Sequence, residues 1–193
     1  MKRETRFLQA FMVLFAISLA ACGVHITEYD LKYNPYKEAQ TLVFDKAGAG
    51  PYRLYVLGWR KMRDQKPRSF GTVPSLQVYA STFEDARMSR RDPAPMLLYI
   101  ERTTMQAPML LQIRLDDLGY SGRVSQQSNW DDSLTVKAGE YEDVEVVENE
   151  LHHEPDELTA YAKRVYWSKR HGLIAIDMSN GLRYELKRIE PAE

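Results

Sequence analysis

The side chains with the most chemical capacity are few and scattered. His152-His153-Glu154, with Asp156 and Glu157, brings together imidazole and carboxylate, the donor types that hold zinc and other divalent ions. Adjacent side chains point to opposite sides of an extended chain, so the two histidines do not chelate one ion. The spacing is neither His-Glu-x-x-His nor a calcium loop, and the run is expected to be a solvated acidic loop. Gly119-Tyr120-Ser121-Gly122 approaches a nucleophile elbow, but its second glycine comes one residue early and no helix follows. Trp130-Asp131-Asp132 sets an aromatic beside two acids, as in sites that cleave glycans, yet neighbouring carboxylates diverge in a strand. His25 and His171 read as surface residues rather than bases. No catalytic residue, metal or cofactor is therefore expected, and the enzyme reading leans to no. An envelope hydrolase would need Ser, His and carboxylate assembled from distant positions.

The chain has a single cysteine, Cys22. Lys2, Arg3 and Arg6 precede an apolar run over residues 7–21, broken by Gln9 and Ser18, which is the layout of an export signal. As a helix that run would span about 22 Å, short of the roughly 30 Å hydrocarbon core, so a permanent transmembrane anchor is the poorer reading. The run ends in Leu19-Ala20-Ala21-Cys22, which resembles the lipobox of bacterial lipoproteins. That resemblance implies cleavage before Cys22 and a diacylglyceryl thioether on its sulfur, with further acylation, such as palmitate, at the new amino terminus. Two or more chains, at about 0.8 kcal/mol per buried CH₂, hold a protein on a bilayer. Gly23 rather than Asp follows Cys22, which favours the outer membrane. Expected partners are the lipid bilayer, through acylated Cys22, and an envelope protein or glycan.

The whole chain of 193 residues has a net charge of −1, no field with which to gather nucleic acid. Removal of residues 1–21 leaves a mature chain whose one cysteine carries the anchor. No internal disulfide can form, and stability must come from a packed core. Residues 22–40 have no sustained apolar period, and Asn34-Pro35 interrupts the spacing of Tyr29, Tyr33 and Tyr36; the segment is a lipidated tether or a first layer of packing.

Residues 41–190 read as one β-rich domain. Strands are expected at Thr41 to Lys46, Tyr52 to Trp59, Ser75 to Thr82, Met96 to Thr103, Met109 to Leu115, Leu134 to Lys137, Asp143 to Val147, Ala162 to Ser168, Leu173 to Met178 and Leu182 to Ile189. The last two flank Ser179-Asn180-Gly181, and Asn-Gly is a strong hairpin signal. In the final strand Leu182, Tyr184 and Leu186 alternate with Arg183, Glu185 and Lys187, a sheet with one buried and one wet face. Asp116 to Asp132 reads as irregular, and helices are confined to Phe83 to Arg91 and Pro155 to Tyr161. The fold expected is mainly β, with a β-rich α+β fold as the variant, after an N-terminal signal helix: a single antiparallel sheet as a meander, half-barrel or sandwich.

The stretches 138–147 and 165–174 are similar to the C-terminal part of uncharacterised envelope lipoproteins, and the pattern loosely resembles half-barrel carriers of lipid or lipoprotein. Charge is uneven. Arg53, Arg60, Lys61, Arg63, Lys66 and Arg68 cluster around Tyr52, Tyr55 and Trp59, while residues 140–157 hold nine acids and no Lys or Arg. The blander account of the basic cluster is a solvated hairpin tip complemented by the acidic strand; the functional one is a surface for anionic headgroups, lipopolysaccharide or an acidic protein. The expected function is a membrane-anchored envelope lipoprotein with a binding or scaffolding domain. The alternative is a carrier of an apolar ligand.

Overall fold

The computed structural model describes residues 25–46, 48, 50–65, 72–82, 96–102, 109–125, 130, 132–151 and 160–191. Eleven strands follow one another: β1 (Thr41–Lys46), β2 (Tyr52–Gln65), β3 (Thr72–Ser81), β4 (Met96–Glu101), β5 (Leu110–Leu115), β6 (Tyr120–Ser125), β7 (Asp132–Val136), β8 (Gly139–Glu148), β9 (Ala162–Ser168), β10 (Gly172–Met178) and β11 (Arg183–Glu190). They form one sheet in the order β6-β5-β4-β3-β2-β1-β11-β10-β9-β8-β7, and every pairing is antiparallel. The molecule is mainly β, as the alternation predicts, and of the architectures expected it takes the curled half-barrel.

Register shows why the sheet has an inside. Leu42 and Phe44 lie opposite Leu54 and Tyr52, Leu76 and Val78 opposite Ile100 and Leu98, and these in turn opposite Leu111 and Ile113. The row continues through Val165, Ile176 and Tyr184, and its buried members belong to one cluster. Each fully buried side chain of this size contributes about 1.5–3 kcal/mol, which replaces the missing disulfides.

Curling brings the β6 side back against β8. The Tyr120 hydroxyl donates to Val147 O at 2.9 Å, and Glu150 N–H donates to Ser121 O at 2.7 Å. Gly122 makes this approach feasible: a Cβ there would sit 2.7 Å from Val147 Cγ1 and 2.9 Å from Glu148 O. At the other edge the β7–β8 hairpin folds over, setting Ala138 N–H 3.0 Å from Leu186 O and pairing Lys137 with Asp45.

Four expectations need correction. The stretch 116–132, expected to be irregular, contains a 3-10 turn at Asp116–Leu118 and the strand β6. Its inward positions are Tyr120, Gly122 and Val124, and the glycine needed for closure erases the apolar alternation. Strand β2 does not stop at Trp59 but runs on through Arg60, Lys61 and Arg63, because beyond Gly58 it is a hairpin arm paired with β3 rather than a core strand. Strand β8 begins at Gly139, where a connection was expected. A short helix, α1 (Glu28–Leu31), was not expected. The Phe83 to Arg91 helix lies outside the described residues, as does that at Pro155 to Tyr161 apart from Ala160 and Tyr161, which are not helical.

Candidate functional site

Residues 25–40, read as tether or first-layer packing, are the latter: a strap laid across one end of the curled sheet. Thr27 starts α1 with a capping box; its Oγ1 accepts from Asp30 N–H at 3.3 Å while its own N–H donates to Asp30 Oδ2 at 2.8 Å. Asp30 is fully buried. Arg102, at the end of β4, grips it with two nitrogens, Nη2 2.5 Å from Oδ1 and Nε 3.2 Å from Oδ2. Burial pushes the Asp30 carboxyl up, but the Arg102 and Thr27 hydrogen bonds outweigh it and hold the group below the usual carboxylate range.

Beyond the helix the strap is aromatic. The Tyr33 ring lies 6.1 Å from Tyr29 and 6.3 Å from Trp130, with the Lys169 ammonium 5.2 Å from its centroid. Tyr36 packs edge-on to Trp167 at 5.8 Å, and its hydroxyl accepts from Leu173 N–H at 2.8 Å. Burial drives that hydroxyl's pKa well above the usual tyrosine range. Gly172 leaves the space for it; its φ is +81°, and a Cβ there would lie 2.3 Å from the Tyr36 oxygen. The strap then joins the sheet, Ala39 N–H donating to Val56 O and Val56 N–H to Gln40 O, both at 2.8 Å.

Two contacts tie this strap to the β2–β3 hairpin. Glu38 lies beside Gly58, where β2 bulges at a φ of +141°, and His25 Nδ1 lies 3.3 Å from Arg63 Nη2. Between these points Trp59, Lys61 and Arg63 form one row of β2, opposite Val78, Leu76 and Pro74 of β3. Trp59 is 52% exposed, and Lys61 and Arg63 are exposed with it. A hollow of about 330 Å³ opens beside them, bordered by His25, Ile26, Lys61, Arg63 and Pro74. Lys66 and Arg68 lie outside the described residues.

The acidic strand does not complement this row. Three described acids of residues 140–150 pair elsewhere: Asp143 with Arg170, Glu148 with Arg164, and Glu150 with Arg123. Among the described residues Arg60 and Lys61 have no carboxylate partner, and Arg63 meets only His25.

Of the residues singled out in the sequence, Cys22, His152, His153, Glu154, Asp156, Glu157 and Asp131 lie outside the described residues, and Asp132 opens β7. Gly119 takes a left-handed conformation that ends the 3-10 turn. Ser121 accepts from Gln112 Nε2 at 3.0 Å, a contact that holds β5 to β6. A serine, a histidine and a carboxylate do meet at the β9–β10 turn. Ser168 Oγ donates to Asp143 Oδ1 at 2.7 Å, but His171 enters through its backbone N–H, 3.1 Å from Ser168 Oγ. The imidazole instead packs on Tyr141 at 5.0 Å. With Ser168 fully buried and Asp143 Oδ2 also accepting from Arg170 N–H at 3.0 Å, this cluster clasps a turn and lacks a base beside an accessible nucleophile. Among the described residues, no three His, Cys, Asp or Glu side chains are placed to hold one metal ion.

The strap's ion pair escapes sequence reading, although Thr27-x-x-Asp30 is the local signature of a capping box. Compared with models of protein families, with curated proteins and with solved structures, the chain finds no match.

Proposed function

We propose that this chain is a lipid-anchored protein of the bacterial cell envelope whose β domain binds or scaffolds an envelope partner at the membrane surface. One observation carries the reading. The Leu19-Ala20-Ala21-Cys22 run stands three positions ahead of His25, where a strap built into the fold begins. At about 3.6 Å per residue, an acylated Cys22 would keep His25 within roughly 11 Å of the lipid. Such an anchor supports function by placement: a partner confined to the same envelope layer meets the domain at high effective concentration, and modest affinity is enough. The outer membrane, with the domain facing periplasm or surface, is the location proposed.

The carrier alternative draws on the curled sheet alone. Its concave positions are occupied by mutually packed side chains from Leu42 to Leu186, and the hollow beside the hairpin mixes Lys61 and Arg63 with Ile26, Met62 and Pro74. The scaffold reading therefore has the better support.

Growth of the host with a clickable fatty acid tests the anchor. The wild-type protein is expected to carry the label and Cys22→Ala to lose it; equal labelling of both would refute the proposal.

A further inference from the structure

We infer that the Trp59-Lys61-Arg63 row of β2, with the hollow that His25 shares with it, docks on anionic phospholipid headgroups of the bilayer holding the chain's own lipid. The inference rests on the lipid anchor proposed above and adds a second, specific contact to it.

Four observations converge. First, the row alternates correctly for a single face: residues two apart on a strand repeat every ~6.6 Å, so one exposed indole and two exposed cations line about 13 Å of surface. Second, among the described residues Lys61 has no carboxylate partner and Arg63 meets only His25. Asp143 and Glu148 of β8, and Glu150 beyond it, pair with Arg170, Arg164 and Arg123, and Lys61 lies opposite the apolar Leu76 across the ladder. Third, the strap brings the beginning of the described chain to this row and to no other: His25 Nδ1 is 3.3 Å from Arg63 Nη2. Only Gly23 and Val24 separate Cys22 from His25, so the chain and its side chains hold Arg63 within roughly 20 Å of the acylated sulfur, within reach of the membrane surface. Fourth, the residue types suit an interface. Indole settles at the level of headgroups, and long basic side chains keep their charge in the polar layer while their stems lie on apolar surface. The hollow of about 330 Å³ between His25, Lys61 and Arg63 offers a phosphate two cationic neighbours.

The fold supports the projection. Strand β1 accompanies β2 only from Tyr52 to Tyr55, the strap extends that pairing to Val56, and the bulge at Gly58 then reorients the arm. From Trp59 onward the row is exposed while its cross-strand neighbours Val78 and Leu76 remain in the core.

The test uses the full-length gene expressed in its host, with the processed protein reconstituted into vesicles containing brominated lipids. One set is phosphatidylcholine alone; the other is phosphatidylcholine and phosphatidylglycerol at about 7:3. Mass spectrometry of the same sample first establishes whether Cys22 is acylated. An unmodified thiol there would overturn the anchor, separately from this inference. With the anchor present, tryptophan emission is expected to be quenched in the anionic vesicles, and Trp59→Phe to remove most of that quenching, because Trp167 is buried and Trp130 is packed beside Tyr33 of the strap and Lys169. Lys61→Ala with Arg63→Ala is expected to lower the docked-to-free ratio by about 25-fold, roughly fivefold per basic group near an anionic surface. Lys46→Ala with Lys163→Ala, which alters basic side chains on β1 and β9, is expected to leave it unchanged. Quenching that is independent of phosphatidylglycerol, or that survives Trp59→Phe, would overturn the inference. So would a Trp59 that stays unquenched in vesicles yet is shielded from acrylamide in intact envelopes, which would assign the row to a protein partner.

Discussion

On the outer face of β9, β10 and β11 the charged side chains engage one another, whereas on the distal arm of β2 Lys61 and Arg63 stand exposed on the face that carries Leu76 and Pro74. Asp177 accepts from Arg183 Nε at 2.6 Å and Nη2 at 3.0 Å, and from the Tyr166 hydroxyl at 2.9 Å. Arg164 Nε approaches it to 3.5 Å, and the Arg183 guanidinium lies 4.8 Å from the Tyr166 ring. Burial raises the Asp177 pKa, but these partners more than reverse that and leave it below the usual range. Among the described residues the Trp59-Lys61-Arg63 row has no such closure. Polar groups that satisfy each other hold three strands in register and offer little to a partner. An open row contributes little to folding and retains its capacity for contact outside the chain.

The largest effect should come from breaking the closed pair that pins the strap. Asp30→Asn leaves Arg102 without its counter-charge beside a buried amide, and is expected to cost about 3 kcal/mol, read as a lower urea midpoint of the mature protein. An unchanged midpoint would mean that the strap is not part of the cooperative fold. Asp177→Asn, on a more accessible site, should cost about 2 kcal/mol by the same measurement.

Acid separates these sites further. Both carboxyls have folded-state pKa values below their unfolded ones. The stability they contribute is therefore fully present above the ordinary carboxylate pKa of about 3.9 and is lost as pH falls through the folded values. The gap between wild type and either variant should narrow below about pH 4; a gap that widens there contradicts the assignment. The smallest stability effect belongs to the open row. Lys61→Ala with Arg63→Ala should move the midpoint by less than ~0.5 kcal/mol, and a larger loss would show that the row has a structural duty.

Much of the sheet was legible because hairpin signals are local. Thr41–Lys46 and Ala162–Ser168 have the expected bounds, and Asn180-Gly181 turns β10 into β11. Tyr184 and Leu186 are buried while Lys187 is exposed, as their alternation requires. The misses share one cause. Strand β6 carries Gly122 where an inward side chain would collide with β8, and the bulge at Gly58 shifts the register of β2, so that Trp59 and Lys61 rather than the even positions stand opposite Val78 and Leu76. In both places tertiary demands displaced the apolar period that sequence reading relies on. The basic-aromatic cluster was visible in the sequence, but that Glu148 and Glu150 meet Arg164 and Arg123 rather than its cations was not, since that pairing depends on sheet order.

By itself the sequence determined the β character, the main hairpins and the export-and-lipidation expectation at Cys22, since alternation, turn chemistry and a signal's layout act over a few neighbouring residues. Tertiary structure alone decided that Asp30 meets Arg102 across 72 positions, that β6 returns to β8, and that His25 comes to rest on Arg63. Those contacts depend on how eleven strands curl and in what register, a property of the whole sheet that no short stretch of chain encodes.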